Sequence, residues 1–318
     1  MTTDLRGFQT TLSRSISLSG VGVHSGNAVS MRFLPGEPDT GIVFRRLLDN
    51  GKSVEIGAAA SQVGSTDLCT VLGHSPESAI ATVEHVMAAL YALGIDNAVL
   101  EIDGGEVPIM DGSAAMFIEA LDAAGRTVHA ARRRYIRVLH AVRVEMGGSW
   151  AEFVPHDGMR FEVDIDFDSA LIGRQVWKGE LDAATFRREL ARARTFGFMR
   201  DVERLWASGH ALGSSLENSL VISDDDTVIN AEGLRFQDEF VRHKTVDAIG
   251  DLSLTGAPFI GCYRSYRGGH KLNSAAVRAL LSDRSAYEIV EEPQREERSR
   301  GRGEMIRVSS PNFAPWAI

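Results

Sequence analysis

The sequence predicts an α+β fold built from two similar halves, and three observations carry that expectation. Residues 15 to 56 alternate apolar and polar positions between glycine-rich turns, in SISLSGVGVHSG, AVSMRFLPGE and GIVFRR. A period of two marks half-buried antiparallel strands. Residues 79 to 93, AIATVEHVMAALYAL, change to helical spacing, stop at Gly94 and give way to a strand, NAVLEI. The same order of helix, glycine and strand returns in FVRHKTVDAIGDLSLTG and APFIGCYRSY, as a duplicated unit would require.

Taken in order, the chain opens with the strands of residues 15 to 56, then the helix at 79 to 93. NAVLEIDGG follows as a strand and SAAMFIEALDAAG as a second helix. RTVHAARRRYIRVLHAV is basic and apolar and reads as a bridge between halves. The strands YIRVLHAVRVEMGG, WAEFVPHDG and RFEVDIDFD start the second half, and helices follow from about residue 183. The expected division is an N-terminal α+β domain over 1–130, a C-terminal α+β domain over 131–290 and a flexible tail over 291–318. The tail, EEPQREERSRGRGEMIRVSSPNFAPWAI, is charge-dense and then punctuated by proline. If the halves pack face to face, their marked helices reach a common cleft, a usual place for a small-molecule site.

Composition narrows the function. A chain of 318 residues can bury one large or two medium cores, and 44% hydrophobic with 24% charged residues is the balance of a soluble globular protein. Cys69 and Cys262 lie far apart without a CxxC pair, which argues against a disulfide framework or a thiolate zinc site and fits a reducing cytoplasm. Net charge is −9, from 34 basic and 43 acidic residues. That balance disfavours nucleic-acid binding but permits a local basic pocket for one anionic ligand. The N-terminus lacks an apolar h-region and no run approaches the ~18 apolar residues of a membrane span. A cytoplasmic protein without membrane insertion is expected.

The stretch FVRHKTVDAIGDL carries unusual chemistry for a helix that otherwise reads as amphipathic. His243 and Asp247, four apart, share one helix face and can bind one metal ion together. Alone, such a pair also occurs as a surface hydrogen-bonded couple. His85 in TVEHVMAAL is the third candidate ligand, although a lone histidine in an apolar helix is more often a satisfied core residue. Catalytic zinc commonly takes three N/O ligands and leaves a fourth position to water. Glu84, beside His85, is then placed as the general base, against the plainer reading of an exposed glutamate. RGGHKLN presents His270 and Lys271 from what reads as a loop, and Asp251 can raise the His270 pKa if that loop folds back.

Together these segments resemble the UDP-3-O-acyl-N-acetylglucosamine deacetylases, zinc enzymes of the committed step of lipid A synthesis. The resemblance runs through GVGVHSG, STDLCT, ATVEHVMAAL, GIDN, VPIMDGSA, RARTFGFMRDVE, EFVRHKTVDAIGDL and GGHKLN, over about residues 13 to 285. It implies two duplicated domains, each a layered α/β sandwich with one insert, and an active site between them. It implies zinc, with Fe(II) suited to the same ligands, held by His85, His243 and Asp247. Glu84 becomes the base for the hydrolytic water. His270, oriented by Asp251, becomes the cation that stabilises the oxyanion and protonates the leaving amine, and Thr195 the hydroxyl that helps hold the acetyl carbonyl.

Lys244 is implied to reach the nucleotide sugar, Phe196 and Phe198 to sit by the glucosamine and acyl paths, and Cys69 to be a neighbour of the site without ligating. The second insert, here about 194–222, is implied to form an apolar passage for the 3-hydroxyacyl chain. Phe196, Phe198, Leu212, Leu216 and Val221 can line it, and Ser215 and Arg267 complete the substrate contacts. His210, Ser214 and Glu217 depart from the family's usual apolar residue, glycine and aspartate, and are expected to face solvent. Ser149 and Arg267 stand where some relatives carry a basic residue and a lysine. His24 belongs to the GVGVHSG turn, with a structural role. The resemblance also implies a monomer whose partner is a UDP-linked acylated glucosamine, with transient contact at the inner membrane surface. The rival expectation is a diverged paralogue that acts on, or only binds, another acylated amino sugar.

Overall fold

Along Ala28–Pro35, Val29, Met31 and Phe33 point inward and their neighbours outward, so the alternation read in the sequence becomes a strand with one buried face. The structure is a computed structural model that describes residues 7–48 and 50–291. All but the first residue of the expected tail lies outside the described residues.

The first half runs β1 (Phe8–Leu12), β2 (Ile16–Val21), β3 (Ala28–Pro35), β4 (Ile42–Leu47), β5 (Ser53–Gly57), α1 (Glu84–Ala92), β6 (Ala98–Ile102), α2 (Ala115–Ala124) and β7 (Arg126–Arg132). Its main sheet has the order β2-β3-β6-β4-β5, and β1 pairs antiparallel with β7 as a separate ribbon. The second half runs β8 (Arg134–Val138), β9 (Val142–Met146), β10 (Ser149–Val154), β11 (Met159–Asp166), β12 (Arg174–Glu180) and α3 (Ala183–Thr185), which passes into a π-turn, Phe186–Leu190. Then come β13 (Phe196–Phe198), α4 (Met199–Ala207), β14 (Leu220–Ile222), α5 (Glu239–Leu252), β15 (Phe259–Tyr266), α6 (His270–Ser282) and β16 (Tyr287–Glu291). Seven strands form its sheet, in the order β12-β11-β15-β10-β9, with β8 joining β15 to β16. β13 and β14 make a short parallel pair within the second-half insert.

The duplication is visible in the sheets. β6 follows α1 through Gly94 (φ 67°) and lies antiparallel to β3 and parallel to β4. β15 follows α5 through Gly256 (φ 84°) and lies antiparallel to β10 and parallel to β11. Each glycine takes the left-handed conformation that closes its helix and turns the chain back to a central strand. The architecture is α+β, with helices layered on sheets in both halves.

Three expectations need correction. The helix read over 79 to 93 begins only at Glu84, because Ile80 and Ala81 make bridge pairs and Thr82 sits at φ 60°. The bridge between halves is two strands: β7 turns back onto β1, and β8 joins the second sheet. Most importantly, α5 is not amphipathic. It packs against α1 on one side, β11 and β12 on another and α6 on a third, so Glu239, His243, Asp247 and Asp251 are enclosed. The α1 contact is close: a Cβ on Gly250 would lie 2.0 Å from the Glu84 carbonyl oxygen.

Candidate metal centre

That close approach sets the site, because it brings the first turn of α1 against the middle of α5. His85, His243 and Asp247 are all buried, and one donor atom from each lies within 4.8 Å of the others. Asp247 Oδ1 is 3.5 Å from His85 Nε2 and 3.3 Å from His243 Nε2, and the two rings meet edge to face at 4.9 Å. His243 Nδ1 lies 3.1 Å from the Ala193 carbonyl oxygen, so donation there leaves the Nε2 lone pair directed into the centre. Burial drives the His243 pKa down to about 4, which keeps its imidazole neutral. Burial alone would raise Asp247, but the cationic and hydrogen-bonding groups around it, Lys244 Nζ at 2.8 Å among them, outweigh burial and hold that carboxyl well below the usual range. Two imidazoles and one carboxylate, converging and enclosed, fit a zinc or ferrous ion.

Glu84, next to His85 on α1, and His270 come together beside this centre. The Glu84 carboxyl is pushed up by burial; its Oε2 accepts from Thr70 N at 3.0 Å and its Oε1 lies 3.9 Å from His270 Nε2. His270 is the first residue of α6 and does not stand in a loop. Gly268 and Gly269 end the strand passage, but HKLNSAAVRALLS keeps helical spacing and carries the turn up to His270 itself. Its Nδ1 is 2.9 Å from Asp251 Oδ2. Burial would depress this imidazolium, yet Asp251 and then Glu84 outweigh it and raise the pKa to about 9.

Asp251 is itself held, by Thr70 Oγ1 at 2.5 Å and Asn273 Nδ2 at 2.8 Å. Sequence reasoning passed over both donors, although each belongs to a quoted segment, STDLCT and GGHKLN. It also missed Arg194 and Glu239, a fully buried pair (Nε to Oε1, 2.9 Å) that ties the chain beside Ala193 to the first turn of α5.

The remaining expected residues divide. Phe196 comes near the centre, its ring 6.3 Å from His243 and 5.0 Å from Phe240. Thr195 is half-buried, its N–H donating to the Gly112 carbonyl oxygen and its own carbonyl accepting from Leu220 N, both at 2.8 Å. Lys244 Nζ reaches Asp247 Oδ2 at 2.8 Å. Cys69 is buried beside Thr70, and burial pushes its thiol up to about 12, so it is a poor ligand. Phe198 lies under the Arg200 guanidinium, Ser215 Oγ accepts from Glu217 N, and Leu212 and Arg267 are exposed. Ser214 and Glu217 are exposed, as expected. His210 is not simply solvent-facing: it is half-buried, its ring edge-on to His24 at 5.5 Å.

The family model for LpxC, UDP-3-O-acyl N-acetylglycosamine deacetylase, matches residues 9–282. Proteins named UDP-3-O-acyl-N-acetylglucosamine deacetylase from Brucella ovis (strain ATCC 25840 / 63/290 / NCTC 10512), Brucella abortus (strain S19) and Brucella melitensis biotype 2 (strain ATCC 23457) are each 61% identical to this chain over 287 residues. Each alignment spans 90% of the chain and the whole of the relative. A match of that extent, over a chain that brings two buried histidines and an aspartate to one point, makes this protein a member of the UDP-3-O-acyl N-acetylglycosamine deacetylase family.

Proposed function

We propose that the protein is a metal-dependent amidohydrolase that removes the N-acetyl group of UDP-3-O-(3-hydroxyacyl)-N-acetylglucosamine, giving acetate and the free amine in the committed step of lipid A biosynthesis. The observation that carries the reading is the enclosed His85, His243 and Asp247 set, with Glu84 beside His85 and His270 Nε2 3.9 Å from the Glu84 carboxylate, in a chain of this family.

His85, His243 and Asp247 would hold the ion, with zinc favoured and Fe(II) suited to the same donors. When bound, the ion supplies Lewis acidity toward the amide carbonyl and toward water. Glu84, its affinity for a proton raised by burial, takes the proton of the attacking water. His270 is held as a cation by Asp251, and its Nε2 faces Glu84. From there it stabilises charge developing on the carbonyl oxygen and gives its proton to the nitrogen as the C–N bond breaks. Thr195 adds a hydroxyl toward the same oxygen. Lys244, Phe196, Phe198, Cys69, Leu212, Ser215 and Arg267 contribute substrate contacts, with the acyl chain running along the insert at about 194–222.

The switch from β7 to β8 supports a domain division near residue 130. No helix among the described residues is long and apolar enough to cross a membrane. Our reading is of a cytoplasmic monomer that meets the inner membrane surface only transiently.

Acetate release from the acylated UDP-sugar by purified protein, with chelator and then zinc added back, tests the reading. Turnover that disappears with chelator and returns with zinc is expected; a folded, zinc-loaded protein that releases no acetate would overturn it.

A further inference from the structure

Glu106 is a buried carboxylate, 4% exposed, that the chemistry above does not use. It accepts four hydrogen bonds. Oε1 takes His24 N–H at 2.8 Å and the Thr82 hydroxyl at 3.0 Å, and Oε2 takes Ser25 N–H at 2.8 Å and the Ser25 hydroxyl at 2.6 Å. A Cβ on Gly22 would lie 2.2 Å from Oε2, so the turn carries glycine where the carboxylate enters. Four donors around two oxygens match a carboxylate and mismatch an amide, whose NH2 would face donors.

The other side of this turn faces the second-half insert. The His24 carbonyl accepts from Leu212 N and the Val23 carbonyl from Gly213 N, both at 3.0 Å. A Cβ on Gly213 would lie 2.3 Å from the Gly22 carbonyl oxygen, so the two backbones are in contact. His24 thus gives its N–H to Glu106 and its C=O to the insert.

We infer that Glu106 is a positioning residue for acyl-chain recognition: it fixes the Gly22–Gly26 turn in the shape that clasps the Leu212–Gly213 segment of the insert. The inference rests on the reading that this insert takes the acyl chain. Loss of the clasp loosens the passage while leaving the groups around His85, His243 and Asp247 in place. The competing route runs through Thr82, two residues before Glu84, and would instead disturb the chemical step.

The test is steady-state kinetics of zinc-loaded, full-length Glu106→Gln on the acylated UDP-sugar and on UDP-N-acetylglucosamine, with metal content and thermal midpoint measured alongside. Loss of charge-assisted hydrogen bonds at the turn should lower the preference for the acylated substrate by about tenfold, with the loss in KM rather than kcat. Ser25→Ala, which removes one donor, should give a smaller shift in the same direction. Should Glu106→Gln fail to fold, Gly213→Ala opens the clasp from the insert side and should give the same KM shift. A wild type that prefers the acylated substrate, with a folded variant that keeps that preference in full or loses kcat equally on both substrates, would overturn the inference alone. A wild type indifferent to acylation would overturn the reading beneath it, and the inference with it.

Discussion

Helices α5 and α4 both carry many charges, and the fold treats them in opposite ways. α5 buries twelve of its fourteen residues, whereas α4 buries none of its nine. Every ionisable group enclosed on α5 has a partner: Glu239 has Arg194, His243 has Ala193 O and Asp247, and Asp251 has His270, Thr70 and Asn273. Buried charge is tolerable only when paired and hydrogen-bonded, so the chemistry of α5 is fixed by its packing. On α4 the Asp201–Arg204 pair is exposed and contributes little. One helix holds the site rigid and the other leaves its surroundings free to vary.

The comparison breaks most sharply at the centre. Glu84→Ala should keep the metal, because Glu84 is not among the converging donors, and should still cut kcat by about two to four orders of magnitude. His243→Ala should lose the metal itself. Metal analysis beside kcat separates the two, and a Glu84 variant that loses its metal would mean the groups do not act separately.

Gly250→Ala gives the next effect. In an exposed helix this change stabilises by roughly 1 kcal/mol, through helix propensity. Here the new methyl would meet the Glu84 backbone at 2.0 Å, and overpacking of this kind typically costs about 1–3 kcal/mol. The expected sign is therefore destabilising, with reduced kcat as α1 shifts away from α5. A variant as stable and as active as the wild type would show that the two helices can separate without consequence.

His270 should impose a smaller, pH-dependent effect. Its folded pKa of about 9 stands above the ordinary 6.5, so folding favours the protonated form. The resulting stability is fully present below about pH 6.5 and lost as pH rises through about 9. Thermal midpoints measured from pH 6 to 10 should fall across that window in the wild type, and less in His270→Gln. kcat should decline on the alkaline side as the proton donor is lost. A wild-type profile no steeper than that of the variant would remove His270 from this role.

How much of this could be read in advance follows from the same contrast. His243 and Asp247 were legible because four residues on a helix fix a shared face, and His85 because it interrupts an apolar run. His270 was read beside Asp251, which it meets at 2.9 Å, but wrongly in a loop, since a glycine pair reads as a turn while the helical spacing of HKLNSAAVRALL starts at His270 itself. The central strands were legible from their alternation and from the repeated helix, glycine and strand order. Thr70, Asn273, Arg194, Glu239 and Glu106 were not. Thr70 meets Asp251 across 181 positions, and Glu106 meets His24 across 82. A single polar residue has no period of its own, so only the folded chain reveals what it is for.

The smallest effect belongs to α4. Trp206 is 56% exposed and gives only its indole N–H, to the Ala211 carbonyl oxygen at 3.2 Å. Trp206→Ala should therefore change stability by no more than about 0.5 kcal/mol, as surface substitutions usually do. Phe240 on α5 is fully buried and packs on Phe196, so Phe240→Ala should cost about 3–5 kcal/mol. Urea midpoints at constant m-value compare the two directly. A large loss at Trp206 would mean that α4 is part of the core's support after all. Near-neutrality there would mean that α4 can change its apolar face without taxing the fold, as the largely buried α5 cannot.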